Sequence, residues 1–182
     1  MQALQGSTVL GTTLRNAQGT GLRVMAVCSK DVAAVAREHL DASDVIVMPE
    51  RNAAGAALPW GLGHSIAAGV TASGDAAGWL IWPGDMPFVR AQTGLAVAEA
   101  MQNYPIAFAQ YKWRRGHPVG FNAELFSELM NLTGDEGAKR LLSRYPAQGI
   151  ELNDAGILQD VDTLEDLRRM RAEAETAAGK ES

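Results

Sequence analysis

A chain of 182 residues, 47% hydrophobic and 20% charged, is long enough for one domain with a full core and too apolar to be disordered or collagen-like. Its net charge of −5 excludes the broad basic face that duplex binding needs, and its single cysteine, Cys28, excludes an intrachain disulfide. No apolar run approaches the roughly 20 residues of a spanning helix, and Met1 to Gly6 has no signal-like apolar core. A cytoplasmic location without nucleic-acid or membrane partners is therefore expected.

Along the chain, short β-rich runs alternate with amphipathic stretches, the order that yields an α/β fold with a mostly parallel sheet between helices. Leu22 to Cys28 reads as a buried strand. Asp31 can cap a helix to about His39, with Val32, Val35, Ala36 and Leu40 at helical spacing. Asp44 to Met48 is a second strand, stopped by Pro49. A small-residue loop, Asn52 to Gly61, opens into a helix striped by Ile66, Ala67 and Val70. Trp79-Leu80-Ile81-Trp82, apolar at every position, reads as a central strand buried on both faces.

Leu95 to Met101 marks the next helix and Ile106 to Tyr111 the next strand; after a basic turn, Val119 to Phe121 is extended. Helices follow around Leu125 to Met130 and Gly137 to Arg144. Asp162 or Thr163 opens the last helix, with Glu165 and Asp166 putting negative charge in its first turn. Residues 1–171 are expected to form one domain and 172–182 a flexible tail.

Four segments carry candidate chemistry. Gly84-Asp85-Met86-Pro87 follows the apolar strand, and open parallel sheets bind ligands where strands end, so Asp85 is placed to hold a hard cation such as Mg²⁺; it can equally cap the next helix or close a turn with Gly84. Trp60-Gly61-Leu62-Gly63-His64-Ser65 precedes a helix, where glycines let backbone amides approach a phosphate, although Ser65 also serves as a plain cap. Lys112-Trp113-Arg114-Arg115-Gly116-His117-Pro118 packs three cations around an aromatic ring and a titratable imidazole. That suits a phosphorylated ligand, or else makes a solvated hairpin tip. Asp160-Val161-Asp162 sets two acids before a helix, either as a cap or as the second ligand that a metal at Asp85 requires.

Five segments occur in one order: Gly-x-Gly-His-Ser-Ile, Gly-Asp-Met-Pro-Phe-Val, Arg-Gly-His-Pro-Val-Gly-Phe, Gly-Asp-Glu-Gly-Ala and Asp-Val-Asp-Thr-Leu-Glu-Asp-Leu. Together they resemble the molybdenum cofactor cytidylyltransferases, a MobA-like group of nucleotidyltransferases, over roughly residues 3 to 170. The resemblance implies a three-layer Rossmann-like fold in which CTP, or GTP, and Mg²⁺ meet molybdopterin. The terminal phosphate of the pterin attacks the nucleotide α-phosphate and releases pyrophosphate. It implies Asp85 and Asp162 as catalytic metal ligands, with Asp160 the less favoured second acid, and Gly61, Gly63 and Ser65 as nucleotide-binding. Arg114, Arg115, Gly116, His117 and Pro118 would then lie near the pterin, and a molybdenum hydroxylase or its maturation chaperone is the implied partner.

The chain departs from that pattern at its start. The family opens with a strand and a loop of the type Leu-Ala-Ala-Gly-x-Gly-x-Arg followed by a Lys, which cradles the triphosphate, and Gln2 to Gly11 resembles the sequence just after that Lys. Either the reading frame begins upstream of Met1 or the cradle is lost. The loss would leave an exposed groove or sheet edge and favour an alternative role as a non-catalytic cofactor carrier or binding module.

Overall fold

The computed structural model describes residues 3–4, 7–51, 54–58, 60–134, 137–161 and 166. Ala3–Leu4 (β1) pairs antiparallel with Ser7–Thr8 (β2), and Val9–Gln18 (α1) follows with Thr8 as its N-cap, the hydroxyl accepting from the Gly11 amide. Ala26–Cys28 (β3), Lys30–Arg37 (α2) and Val45–Val47 (β4) form a parallel two-stranded unit. Leu62–Ala72 (α3) leads to Gly78–Ile81 (β5), and Ala91–Ala100 (α4) leads to Ile106–Tyr111 (β6). Arg114–Asn122 (β7), Phe126–Met130 (α5), Gly137–Arg144 (α6) and Ala147–Glu151 (β8) complete the regular elements, with a 3₁₀ turn at Ala155–Leu158.

The larger sheet has the order β5-β7-β6-β8, with β7 antiparallel to both neighbours and β6 parallel to β8, so β5, β6 and β8 end on one rim. Alternation along the strands loads both faces. Val119 and Phe121 on β7 pack with Ile66 and Val70 of α3, Leu125, Leu129 of α5 and Leu141 of α6. On the other face Ala107 and Ala109 of β6 pack with Val97 of α4, Met86, Val89 and Ile157. Ala26 and Val45 meet Leu14 of α1 and Ala36 of α2, which places helices on both sides of the sheets and gives the three expected layers.

Three differences from the expected elements have physical causes. The strand read as Leu22 to Cys28 is only its last three residues, because Arg23 is turned outward to pair with Asp44 at 2.7 Å. The run Trp79 to Trp82 is not a central strand: β5 is the edge of its sheet and all four of its residues are half-buried. Its uniform apolar character arises because α3 and α4 cover its two faces; among the described residues, one edge of β5 and the outer edge of β3 have no partner strand. The basic segment is mostly strand, since β7 begins at Arg114 and the turn is confined to Lys112 and Trp113. The expected last helix and tail lie outside the described residues, apart from Asp166, which is helical.

Candidate functional site

The pairing of Ile81 with Val119 puts Trp82 to Asp85 and His117 side by side where β5 leaves the sheet. Gly84 and Asp85 are exposed there, whereas Met86 beneath them is 4% exposed and anchors the loop in the core. The Val161 amide donates to the Asp85 carbonyl at 2.9 Å, which draws the segment 160–161 onto the same loop. Asp160, exposed, therefore stands at the rim with Asp85, and Asp162, next in the chain, lies outside the described residues.

His117 completes this corner. Burial pushes its imidazole below the usual histidine range, against a hydrogen bond to the Ile81 backbone and the nearby Asp85 charge, both of which pull upward. Its Nδ1 is buried without a hydrogen-bond partner, as is Nε1 of Trp82; among the described residues these two atoms alone are so placed, and both flank the end of β5. Buried polar atoms are normally partnered, so the two mark a place where a polar ligand or water belongs. Among the described residues no group of three or more His, Cys, Asp and Glu side chains converges. One exposed strand-end carboxylate with an acid beside it fits Mg²⁺ or Mn²⁺ held mainly by phosphate oxygens and water, and does not fit a cage of protein ligands.

Ser73, just past the C-terminus of α3, accepts from Trp79 Nε1 at the start of β5 (2.9 Å), which ties that end of the helix to the strand. At the N-terminus of α3 the His64 Nδ1 accepts from the amides of Gly61 (3.2 Å) and Gly134 (3.3 Å), and the Gly63 amide donates to the Gly134 carbonyl at 2.8 Å. A Cβ on Gly63 would stand 2.6 Å from that carbonyl oxygen, so glycine here lets the 133–134 loop close on the helix. Gly61 and Ser65 remain half-buried at the surface beside it.

From His117 outward, Arg115 lies over the Phe108 ring at 5.7 Å, and Arg114 and Arg115 are both exposed. Gly116 and Pro118 face the opposite way and are buried, with a cis peptide between His117 and Pro118; a Cβ on Gly116 would sit 2.2 Å from the Ile157 carbonyl oxygen. Of the segment 114–118, then, Arg114 and Arg115 are exposed and His117 is half-buried, while Gly116 and Pro118 set the strand against the 155–158 turn.

Two structural residues had gone unremarked. Asp154, 3% exposed, accepts from the Arg90 amide (3.0 Å), the Thr93 hydroxyl (2.6 Å) and the Gly156 amide (3.1 Å), capping α4 and tying the 154–161 segment to the loop that carries Asp85. Asn153-Asp154-Ala155-Gly156 does carry a local turn signal. Glu151 at the end of β8 accepts from the Lys112 amide (2.6 Å), the Trp113 amide (3.3 Å) and Gln110 Nε2 (3.0 Å), a cross-strand contact without local signal.

The chain is similar in structure to Rv0371c of Mycobacterium tuberculosis H37Rv, solved as a complex with manganese, at 26% identity over 93% of this chain and 88% of that one, with a TM-score of 0.74. The 4-diphosphocytidyl-2C-methyl-D-erythritol synthase of Anaerococcus prevotii aligns over 95% and 88% of the two chains (TM-score 0.73, 13% identity). Molybdopterin-guanine dinucleotide biosynthesis protein A of Archaeoglobus fulgidus aligns over 96% and 89% (TM-score 0.63, 13% identity). At such low identity the last two show the nucleotidyltransferase fold alone. No curated protein sequence matches significantly. The family model for the MobA-like NTP transferase domain matches residues 1–149, and the chain belongs to that family.

Proposed function

We propose that the protein is a divalent-cation-dependent nucleotidyltransferase that transfers CMP from CTP, with GTP the competing nucleotide, to the terminal phosphate of molybdopterin, releasing pyrophosphate. The observation that carries this is the convergence at the end of β5 of the exposed Asp85, the 160–161 segment bonded to its backbone, and His117 with an unpartnered buried nitrogen. Mg²⁺, when bound, neutralises phosphate charge. Transfer to phosphorus asks a protein chiefly for positioning and electrostatic stabilisation.

Asp85 and Asp162 hold the cation, with Asp160 the second candidate acid. Gly61 and Ser65, at the start of α3, face the nucleotide, and Gly63 shapes that turn by admitting Gly134. Arg114 and Arg115 bind acceptor phosphate; Gly116 and Pro118 fix the strand that presents them and His117. Manganese in the Rv0371c complex supports a divalent ion in this fold. A molybdenum hydroxylase or its maturation chaperone would receive the product.

Calorimetry tests the proposal: CTP with Mg²⁺ should give a saturable heat that Asp85→Asn abolishes without lowering the melting temperature. Absence of heat with any nucleoside triphosphate at millimolar concentration would contradict it. A second reading, a non-catalytic cofactor carrier, is favoured by the edges of β3 and β5 that have no partner strand among the described residues. It predicts molybdopterin binding with no nucleotide heat.

A further inference from the structure

The hairpin joining β6 to β7 turns on two residues, Lys112 (φ 48°) and Trp113 (φ 64°), between the paired Tyr111 and Arg114. Both are in the left-handed region, as in the two-residue type I′ hairpin turn, where Asn-Gly is strongly preferred because a bulky side chain is strained at such φ. Nothing in the hairpin's packing requires an indole here: Trp113 is 86% exposed. Instead the strain is held by a device outside the turn, the Glu151 carboxylate, which accepts from both turn amides and from Gln110. Backbone strain that the surroundings over-determine tends to accompany function.

The turn also has a definite place. Phe121, Val119 and Arg115 share the α3 face of β7, Arg115 lying over Phe108, and the turn that carries Trp113 follows beyond Arg114. Arg115 to Val119 spans only Gln110 to Phe108 of β6, so at about 3.3 Å per strand residue the indole lies on the order of 10 Å beyond His117. Lys112, Arg114 and Arg115 are exposed around it, in a chain whose net charge is −5.

We infer that Trp113 is a specificity-determining stacking platform: it takes one face of a flat heterocycle whose phosphate-bearing end reaches the His117–Asp85 corner, with Lys112, Arg114 and Arg115 neutralising the anion between them. The span suits an acceptor with ring and phosphate about 10 Å apart, and the class is a phosphorylated bicyclic heterocycle such as a pterin. The role of the corner rests on the nucleotidyl-transfer proposal; the stacking itself does not. Stacking on an aromatic side chain contributes roughly tenfold or more to affinity, and flanking cations add phosphate attraction.

Titration of the full chain with neopterin phosphate, read by tryptophan fluorescence and calorimetry, tests this. The native protein should bind with quenching, Trp113→Ala should bind about tenfold more weakly, Trp113→Phe within about threefold of native, and Trp113→Leu like the alanine variant. Trp113→Gly should raise the melting temperature by a few degrees while weakening the ligand as alanine does, a combination that a merely structural tryptophan would not give. No binding by the native protein, equal affinity in the alanine variant, or leucine as good as phenylalanine overturns the platform. CTP with Mg²⁺ titrated in parallel into Asp85→Asn separates the two ideas: loss there with no effect at Trp113 leaves nucleotidyl transfer standing and removes the platform, and the reverse pattern does the opposite.

Discussion

Gly116→Ala and Gly120→Ala, two residues from the same face of β7, should differ sharply in stability. A Cβ at Gly116 would stand 2.2 Å from the Ile157 carbonyl oxygen and 2.8 Å from both its carbonyl carbon and Cγ1, where ordinary contact begins at 3.4 Å. Relief requires the 155–158 turn to retreat by about 1 Å, and that turn is held by the three hydrogen bonds of Asp154. Overpacking against a fixed backbone costs about 2–3 kcal/mol. A Cβ at Gly120 meets Met101 Sδ at 2.3 Å and Cγ at 2.8 Å, the adaptable end of a long side chain, so the cost should stay below about 1 kcal/mol. With a urea dependence of about 2 kcal/mol per molar, Gly116→Ala should lower the unfolding midpoint by about 1 M and Gly120→Ala by less than about 0.5 M. Equal midpoints, or a Gly116→Ala midpoint within about 0.3 M of the native one, would refute the packing assigned to Gly116 and return it to direct ligand contact.

Asp154→Ala orphans two donors at the head of α4 and the Gly156 amide in the 155–158 turn, and should cost about 2–4 kcal/mol in urea unfolding, with Asp154→Asn intermediate because one acceptor oxygen survives; a loss below about 1 kcal/mol would contradict the clamp. His117 has a folded pKa depressed by burial, so the unfolded chain takes up its proton first, near pH 6.5. Its contribution is complete above that pH and is lost as pH falls from about 6.5 through the folded value. Urea midpoints of metal-free protein between pH 7 and 5 should therefore fall less steeply in His117→Gln than in the native chain, and parallel slopes would count against a buried neutral imidazole.

Where sequence signals were local, they located structure well. β6, α6 and the body of α3 follow directly from apolar periodicity and punctuation, and Gly84-Asp85 stands at a strand end because Pro83 and Pro87 allow little else. Where pairing partners decide, they did not. The uniformly apolar Trp79 to Ile81 gives no sign that β5 stands at the edge of its sheet among the described residues, since periodicity reports which faces are covered and is silent on edges. The short β8, Ala-Gln-Gly-Ile-Glu, is too polar to announce itself and is a strand because β6 offers it a parallel edge. At the site, Asp85, His117 and the 160–161 segment were legible as separate motifs, and only the register of β5 with β7 and the Val161 to Asp85 bond bring them together. The turn at Lys112 and Trp113 was visible as a basic cluster; its strain and the Glu151 brace depend on a side chain from a strand far along the sequence.

Everything functional depends on Asp85 meeting a divalent ion at the strand end. Crystals of the protein soaked with Mn²⁺ and CTP, measured at the manganese absorption edge, should show an anomalous peak within about 2.3 Å of an Asp85 carboxylate oxygen and beside the nucleotide phosphates. An ordered nucleotide with manganese bound elsewhere, and Asp85 turned to solvent, would contradict the account.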